Sequence, residues 1–412
     1  MEGLQEQLAA LRARIAKIDH KYAVSPPENA QASPKPAFRY VEEWLSGEEI
    51  STDYGRHFET EKLYEHHRRH GSADIGALND LPHDLFEALS ISKAAPEEWA
   101  FLDTETTGLA GGTGTCAFLV GVGRITRDGF RVRQFFMRDY SEEPSLLDSL
   151  TKHLASFRVL VTYNGRAFDQ PLLETRYRMN RARPPFARME HLDLLFGARR
   201  LWKLRFDSCR LVDLENQILG VERHGDLPGA LIPYVYFEYL RTRHAARLLP
   251  VFQHNATDIL TLACLAGIVP YAFKDPATAP LKHGSEMAGI ARWLREAGEL
   301  EQALALFRRA VAAALPDDLL FRTLWDIGLL ERKLDLDPLP TWTGLAGSRN
   351  PYRAKALEEL AKHYEHHERD YPRALELTRE ALEYEESETL LKREQRLRRR
   401  CAQIHADKKK KR

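Results

Sequence analysis

A chain of 412 residues is long enough for two or three domains, and a hydrophobic fraction of 43% supplies cores of ordinary size. Its 60 basic and 60 acidic residues cancel, which excludes a generally basic nucleic-acid coat but leaves room for a local basic track. No apolar stretch approaches the roughly 20 residues of a membrane span, and Cys116, Cys209, Cys264 and Cys401 are too scattered for a zinc site or a disulfide framework.

Residues 1–95 read as an extension. A polar-faced helix to about Ala23, without the apolar core of a secretory signal, gives way to a Pro/Ala/Gln/Ser linker ending at Pro36. Short mixed patterns then carry His57, His66, His67, His70 and His83, whose spacing predicts structural or surface roles rather than a metal site. A cytoplasmic protein with buried free thiols is expected.

Residues 96–273 alternate between strand and helix patterns, the signature of an α/β core. The apolar run from Trp99 ends in Asp103 and Glu105. Residues two apart on a strand share a face, so both carboxylates project from one strand end, where they can hold a divalent cation. Ala117–Ile125 and Phe130–Met137 are β-like runs joined by the hairpin signal Asp128-Gly129. A helix with periodic leucines spans 145–157, and Val159–Thr162 is a further strand. It leads through Tyr163-Asn164-Gly165-Arg166-Ala167-Phe168-Asp169 into a helix to Arg178, which places Asp169 at a strand-to-helix junction. Helices over 231–249 and 252–268 close the domain. On the last, His254 and Asp258 at i and i+4 share one face.

From about residue 285 to 390 the pattern is wholly helical. Gly289 to Phe307 reads helix, tight turn, helix, with Ala303, Phe307 and Ala310 spaced as in a tetratricopeptide repeat. Residues 357–382 repeat the scheme around Asp370-Tyr371-Pro372, and a degenerate unit over 319–346 lies between them; an unrelated helical bundle is the alternative. Residues 391–412 form a basic tail with 11 Lys/Arg from Lys392 onward, read either as a phosphate-binding segment or as a solvated, disordered end.

These motifs resemble the DEDD superfamily of 3′→5′ exonucleases, which have an RNase H-like fold. Asp103-Thr104-Glu105 is similar to the first motif of that superfamily, and Tyr163-Asn164 with Phe168-Asp169 to the second. The third has the four-residue spacing of the tyrosine branch but His254 in place of tyrosine, whereas the histidine branch usually sets its base five residues before the acid. The run from Asp103 to Gly121, the segments Leu192-Asp193-Leu194-Leu195 and Arg199-Arg200-Leu201-Trp202, and Leu227-Pro228-Gly229 resemble bacterial YprB-type RNase H-like proteins. That family includes the mitomycin repair exonuclease and adds C-terminal tetratricopeptide-like helices.

The resemblance implies an RNase H-like mixed-sheet core followed by an all-α repeat domain. It implies a two-metal-ion 3′→5′ exonuclease on DNA in DNA repair, using Mg²⁺ or Mn²⁺. The alternatives are a ribonuclease of the same fold and a non-catalytic nucleic-acid-binding adaptor that recruits a helicase through its repeats. Asp103 would bridge both ions, Glu105 and Asp258 would complete the nucleophile-side ion, Asp169 would hold the other, and His254 would be the base.

The glycine-rich run from Gly108 lacks the Gly-Lys-Ser/Thr of an ATP loop. Its Thr106, Gly112 and Thr113 are expected to meet the terminal nucleotide or simply to build a turn. Asn164 is expected to fix the Asp169 loop or touch the substrate. Arg200 and Trp202, among Arg199, Lys203 and Arg205, either track a phosphate backbone with an aromatic for stacking or form a half-buried amphipathic segment. Asp193 reads as a strand-end cap, and His191 and His224 as ordinary polar residues.

Overall fold

The computed structural model describes residues 40–108 and 114–410. The expected N-terminal helix, the linker, Gly112 and Thr113 lie outside the described residues.

A seven-stranded mixed sheet runs in the order β1-β2-β7-β6-β5-β8-β9. Its strands are β1 (Gly47–Thr52), β2 (Gly55–Glu65), β5 (Trp99–Thr106), β6 (Ala117–Thr126), β7 (Gly129–Phe136), β8 (Val159–Thr162) and β9 (Glu190–Asp193); β3 (Arg69–His70) and β4 (Ala73–Asp74) form a separate small ribbon. As the sequence predicts, β5, β6 and β7 are antiparallel neighbours and β8 and β9 add in parallel. The β6–β7 hairpin turns at Asp128-Gly129. Gly129 has φ of 134°, and a Cβ there would lie 2.2 Å from the Tyr64 carbonyl oxygen, so only glycine fits.

The sheet extends N-terminally past residue 96, the domain boundary expected from the sequence, because β2 pairs with β7 along eight residues. β1 forms the edge, with β2 between it and β7, and both carry mostly exposed polar residues, so they lack the apolar alternation that marks a strand. Buried His57 and Glu59 anchor β2 from within: the ring of His57 bonds Ser145 Oγ at 2.9 Å and Glu59 Oε1 at 2.8 Å.

Strand alternation sorts the core into two faces. Trp99 and Phe101 of β5 face one cluster, with Val159 and Val161 of β8; Ala100 and Leu102 face the other, with Phe118, Leu146, Leu173 and Tyr236. The second face is covered by α1 (Glu143–Leu154), α2 (Asp169–Met179) and α4 (Ile232–Thr242). The first is covered by α3 (Leu194–Trp202) and by α5 (Leu249–Ala266), through Ala256, Ile259, Leu260 and Ala263.

One expectation is corrected here. The span Ala245–Lys274 is long and apolar enough, by length and composition, to cross a membrane. Of its apolar window, 72% is buried, because this is the central core helix pressed against the sheet.

The remainder is helical: α6 (Gly284–Ala297), α7 (Leu300–Ala312), α8 (Asp317–Lys333), α9 (Leu339–Ala346), α10 (Arg353–His366), α11 (Tyr371–Tyr384) and α12 (Glu388–Lys410). Gly298, at φ of 90°, ends α6 and turns the chain into α7. Asp370 caps α11 by accepting from the Arg373 N–H at 3.0 Å. The segment read as a basic tail forms most of α12, where Arg393 and Arg396 pair with the buried Glu365 of α10.

Candidate active site

The strand β5 runs four residues beyond the apolar stretch, so Asp103 and Glu105 stand on it in register with Phe101, on the face covered by α5. Gly121 of β6 lies directly opposite Asp103. A Cβ at Gly121 would come within 2.2 Å of Asn255 Oδ1 and 2.3 Å of Ile259 Cδ1. Its absence lets α5 close onto the strand end. Asn255 then donates from Nδ2 to Asp103 Oδ2 at 2.8 Å, while its Oδ1 accepts from Gln134 Nε2 at 2.8 Å. The amide is thereby fixed in one orientation, and Asp103 with it.

Asp169 arrives from the other side of the sheet as the first residue of α2. Thr104, facing that side, donates to Asp169 Oδ1 at 2.5 Å. The loop before it is clamped by Asp193, which accepts from the N–H groups of Asn164 at 2.7 Å and Arg166 at 3.1 Å. Asp193 also caps α3 by accepting from the Leu195 N–H at 3.1 Å. The expected cap role is therefore real, and the same carboxylate shapes the Asp169 loop. Asn164 sits in the left-handed region at φ of 66°, which asparagine tolerates.

On α5, His254 and Asp258 face one point as the spacing predicts, with His254 Nε2 3.6 Å from Asp258 Oδ2. Two partners come from the loop after residue 220. Asp226 bonds His254 Nδ1 at 2.9 Å, and Arg223 donates to Asp258 Oδ1 at 2.5 Å, to Asp226 Oδ2 at 3.2 Å and to the fully buried Glu215. Glu215 lies 3.5 Å from His70, whose Nε2 bonds Thr261 Oγ1 at 2.8 Å, so the network ties α5 to the β3–β4 ribbon.

Charge is concentrated and only partly balanced. Burial pushes the Asp103 carboxyl well above its ordinary range, and the charges of Asp258 and Asp169 push it further, against the Asn255 bond. Glu105 is raised well above its range by burial and then by Asp103, Asp258, Asp169 and Asp226. It is 9% exposed and accepts no hydrogen bond among the described residues. Asp169 is raised to about 6 by burial, opposed by Thr104. Asp258 is raised by burial, opposed by His254 and Arg223. His254 is also raised: burial disfavours its charge, but the Asp226 bond and the Asp258 and Asp226 charges outweigh it.

Four carboxylates that repel one another in a poorly solvated site, with Glu105 unpartnered, are the donor set that hard cations take. Among the described residues no trio of His, Cys, Asp or Glu is drawn into ready ligand geometry. Thr104, Asn255 and Arg223 hold three of the carboxylate oxygens by hydrogen bonds.

Two comparisons place this geometry. A family model of the RNase H superfamily matches residues 100–269, the span that holds all four acids and His254. The uncharacterized protein YprB of Bacillus subtilis (strain 168) is 33% identical over 323 residues, 76% of this chain and 77% of that one. The chain belongs to the YprB family. It carries an RNase H superfamily domain, and proteins of that superfamily are typically hydrolytic nucleases that use divalent metal ions.

Around the YprB-family acids, the expected substrate residues divide. Thr106 donates to the Gly108 carbonyl oxygen at 2.8 Å, the turn role. Asn164 lines a cleft at the Asp169 loop, with its side-chain amide unbonded among the described residues. The stacking role expected of Trp202 is corrected, and the segment is the amphipathic alternative. Trp202 is 3% exposed within the core, so its ring is closed to a base. Arg200 turns toward α6 and pairs with Glu296 at 3.1 Å. Sequence reasoning missed Thr104, Asn255, Gln134, Arg223, Asp226 and Glu215. Asn255, adjacent to His254, was legible only together with Gly121. Arg223 and Asp226 stand in a loop with no periodicity to give them away.

Proposed function

We propose that this protein is a two-metal-ion 3′→5′ exonuclease that degrades DNA, in DNA repair, and releases 5′-mononucleotides. The observation that carries the reading is Glu105, whose carboxylate has no partner among the described residues, beside Asp103, Asp169 and Asp258, each carboxyl held above its ordinary range. Two Mg²⁺ or Mn²⁺ ions would supply the activated water and neutralise charge on the leaving oxygen. Asp103, Glu105 and Asp258 would hold the ion beside the attacking water, and Asp103 with Asp169 would hold the other.

His254 is the base. With Nδ1 held by Asp226, its Nε2 faces the Asp258 side and accepts the proton of the attacking water. Asn255, through Gln134, keeps Asp103 in place, and Thr104 does the same for Asp169. Arg223 offsets the charge of Asp258 and Glu215. The resemblance to the family of the mitomycin repair exonuclease supports DNA as substrate, and the helix–turn–helix pairs α6–α7 and α10–α11 support tetratricopeptide-like repeats that dock a protein such as a helicase.

The chemistry is tested with thymidine 5′-(4-nitrophenyl) phosphate, a phosphodiester small enough to need only the acidic site. Release of nitrophenolate with Mg²⁺ or Mn²⁺, absent with EDTA and in Asp258→Asn, is expected. Equal release by Asp258→Asn removes these acids from the reaction.

A further inference from the structure

A cavity of about 560 Å³ opens beside the Asp169 loop, lined by Tyr163, Asn164, Arg199, Lys203 and Arg210 among others. Its walls are built. The Tyr163 hydroxyl donates to the Cys209 carbonyl oxygen, tying the loop before Asp169 to the segment after α3. Asn164 is held at φ of 66° by its N–H bond to Asp193, and its own amide is unspent among the described residues.

Arg199 and Lys203 are one turn apart at the end of α3, both exposed, and neither has a carboxylate partner among the described residues. Their neighbours on the same stretch are committed: Arg200 to Glu296, Arg205 to Glu286 at 2.6 Å and Arg210 to Asp213 at 2.8 Å. Two free cations and a free amide therefore face one recess. A second cavity of about 600 Å³ shares Asp207, Ser208 and Arg210 with the first and reaches Arg223, the partner of Asp258. The first recess borders the loop that leads to Asp169, and the second borders the arginine that pairs with Asp258.

We propose that this cleft is the channel for a single nucleic-acid strand, in which Arg199 and Lys203 hold backbone phosphates and Asn164 hydrogen-bonds the nucleotide nearest the acids. Cations without partners beside an acidic site are suited to polyanion phosphates, which the acids themselves would repel. Recesses of this size fall in the range of small-ligand pockets, about 300–1,000 Å³, and admit a strand of one or two nucleotides at a time rather than a duplex. The inference rests on the nuclease reading and adds the path of the strand.

The test is the salt dependence of binding of 5′-fluorescein oligo(dT) to the full chain in EDTA, where no hydrolysis occurs, read by anisotropy. Each phosphate contact on a single strand contributes about 0.7 to the slope of log K against log salt, so Arg199→Gln/Lys203→Gln lowers the slope by about 1.4. Arg200→Gln leaves it unchanged, and Arg199→Lys/Lys203→Arg restores it. Thermal midpoints equal to wild type in all three variants exclude a folding effect. An unchanged slope in the double Gln variant overturns the cleft and leaves the nuclease reading standing. A blunt duplex bound as tightly as oligo(dT), with the same loss, overturns the single-strand path. An oligo(U) arm separates the two sugars. Failure of wild type to hydrolyse the small phosphodiester removes the nuclease reading without touching this binding result.

Discussion

At the scale of single residues, the acidic site is a place where function is set against stability. Asp103, Glu105, Asp169 and Asp258 all have carboxyl groups raised above their ordinary values, so each costs the fold stability when ionised. For Asp169 the direction follows from its value of about 6 against an ordinary 3.8. Its protonated form contributes stability that is complete below about 3.8 and lost as pH rises through about 6. We therefore expect the metal-free protein to gain thermal stability on acidification from neutral pH toward that window. Asp103→Asn, with one charge removed, will melt higher than wild type in EDTA at neutral pH. Millimolar Mg²⁺ or Mn²⁺ will raise the melting temperature of wild type and leave that of the variant nearly unmoved. A variant that melts lower in EDTA, or that responds to metal as wild type does, would show that these charges are balanced by something else.

Among the secondary-structure elements, the placement of α5 decides the site. The helix approaches β6 closely only because residue 121 is glycine, and that approach brings Asn255 to Asp103. Gly121→Ala puts a methyl where Asn255 Oδ1 and Ile259 Cδ1 now sit, and neither can easily give way. Asn255 is bonded at both ends and Ile259 is wholly buried. The expected cost is about 1–3 kcal/mol of stability, the range for overpacking a core. A large fall in kcat on the small phosphodiester should accompany it, although no acid is touched. A melting temperature lowered with kcat unchanged would mean that the helix position does not govern Asp103.

The same elements show what the sequence makes legible. β5, the β6–β7 hairpin, β8 and α2 follow from apolar runs and turn residues; the i, i+2 and i, i+4 spacings point to three acids and a histidine, and the strand-to-helix junction to Asp169. β1 and β2 leave little pattern because the edge strand β1 buries no residue and β2 buries only the consecutive His57, Phe58 and Glu59, without alternation. Arg223 and Asp226 escape because a loop carries no period. Trp202 misleads because an aromatic among arginines reads equally as a stacking platform or as the buried side of an amphipathic helix, and α3 is the latter.

Across the whole molecule, the helical region meets the RNase H superfamily domain at α3. A Cβ on Gly289 of α6 would lie 2.2 Å from the Arg200 carbonyl oxygen, so glycine permits a backbone-to-backbone approach there. Arg200–Glu296 and Arg205–Glu286 fasten the contact on either side. The helix that presents Arg199 and Lys203 to the cleft is thus braced from behind by the helical region. A repeat domain that docks another protein would be mechanically joined to the strand path through one helix.

The central claim is that the acids drive metal-dependent removal of nucleotides from a 3′ end. It is tested most directly by following 5′-labelled single- and double-stranded DNA and matched RNA with Mg²⁺, Mn²⁺ or EDTA, in wild type and Asp103→Ala. We predict a ladder shortening from the 3′ end with metal, more strongly on DNA, and none with EDTA or in the variant. Binding without cleavage of any substrate in the presence of metal, or an identical ladder from Asp103→Ala, would contradict it.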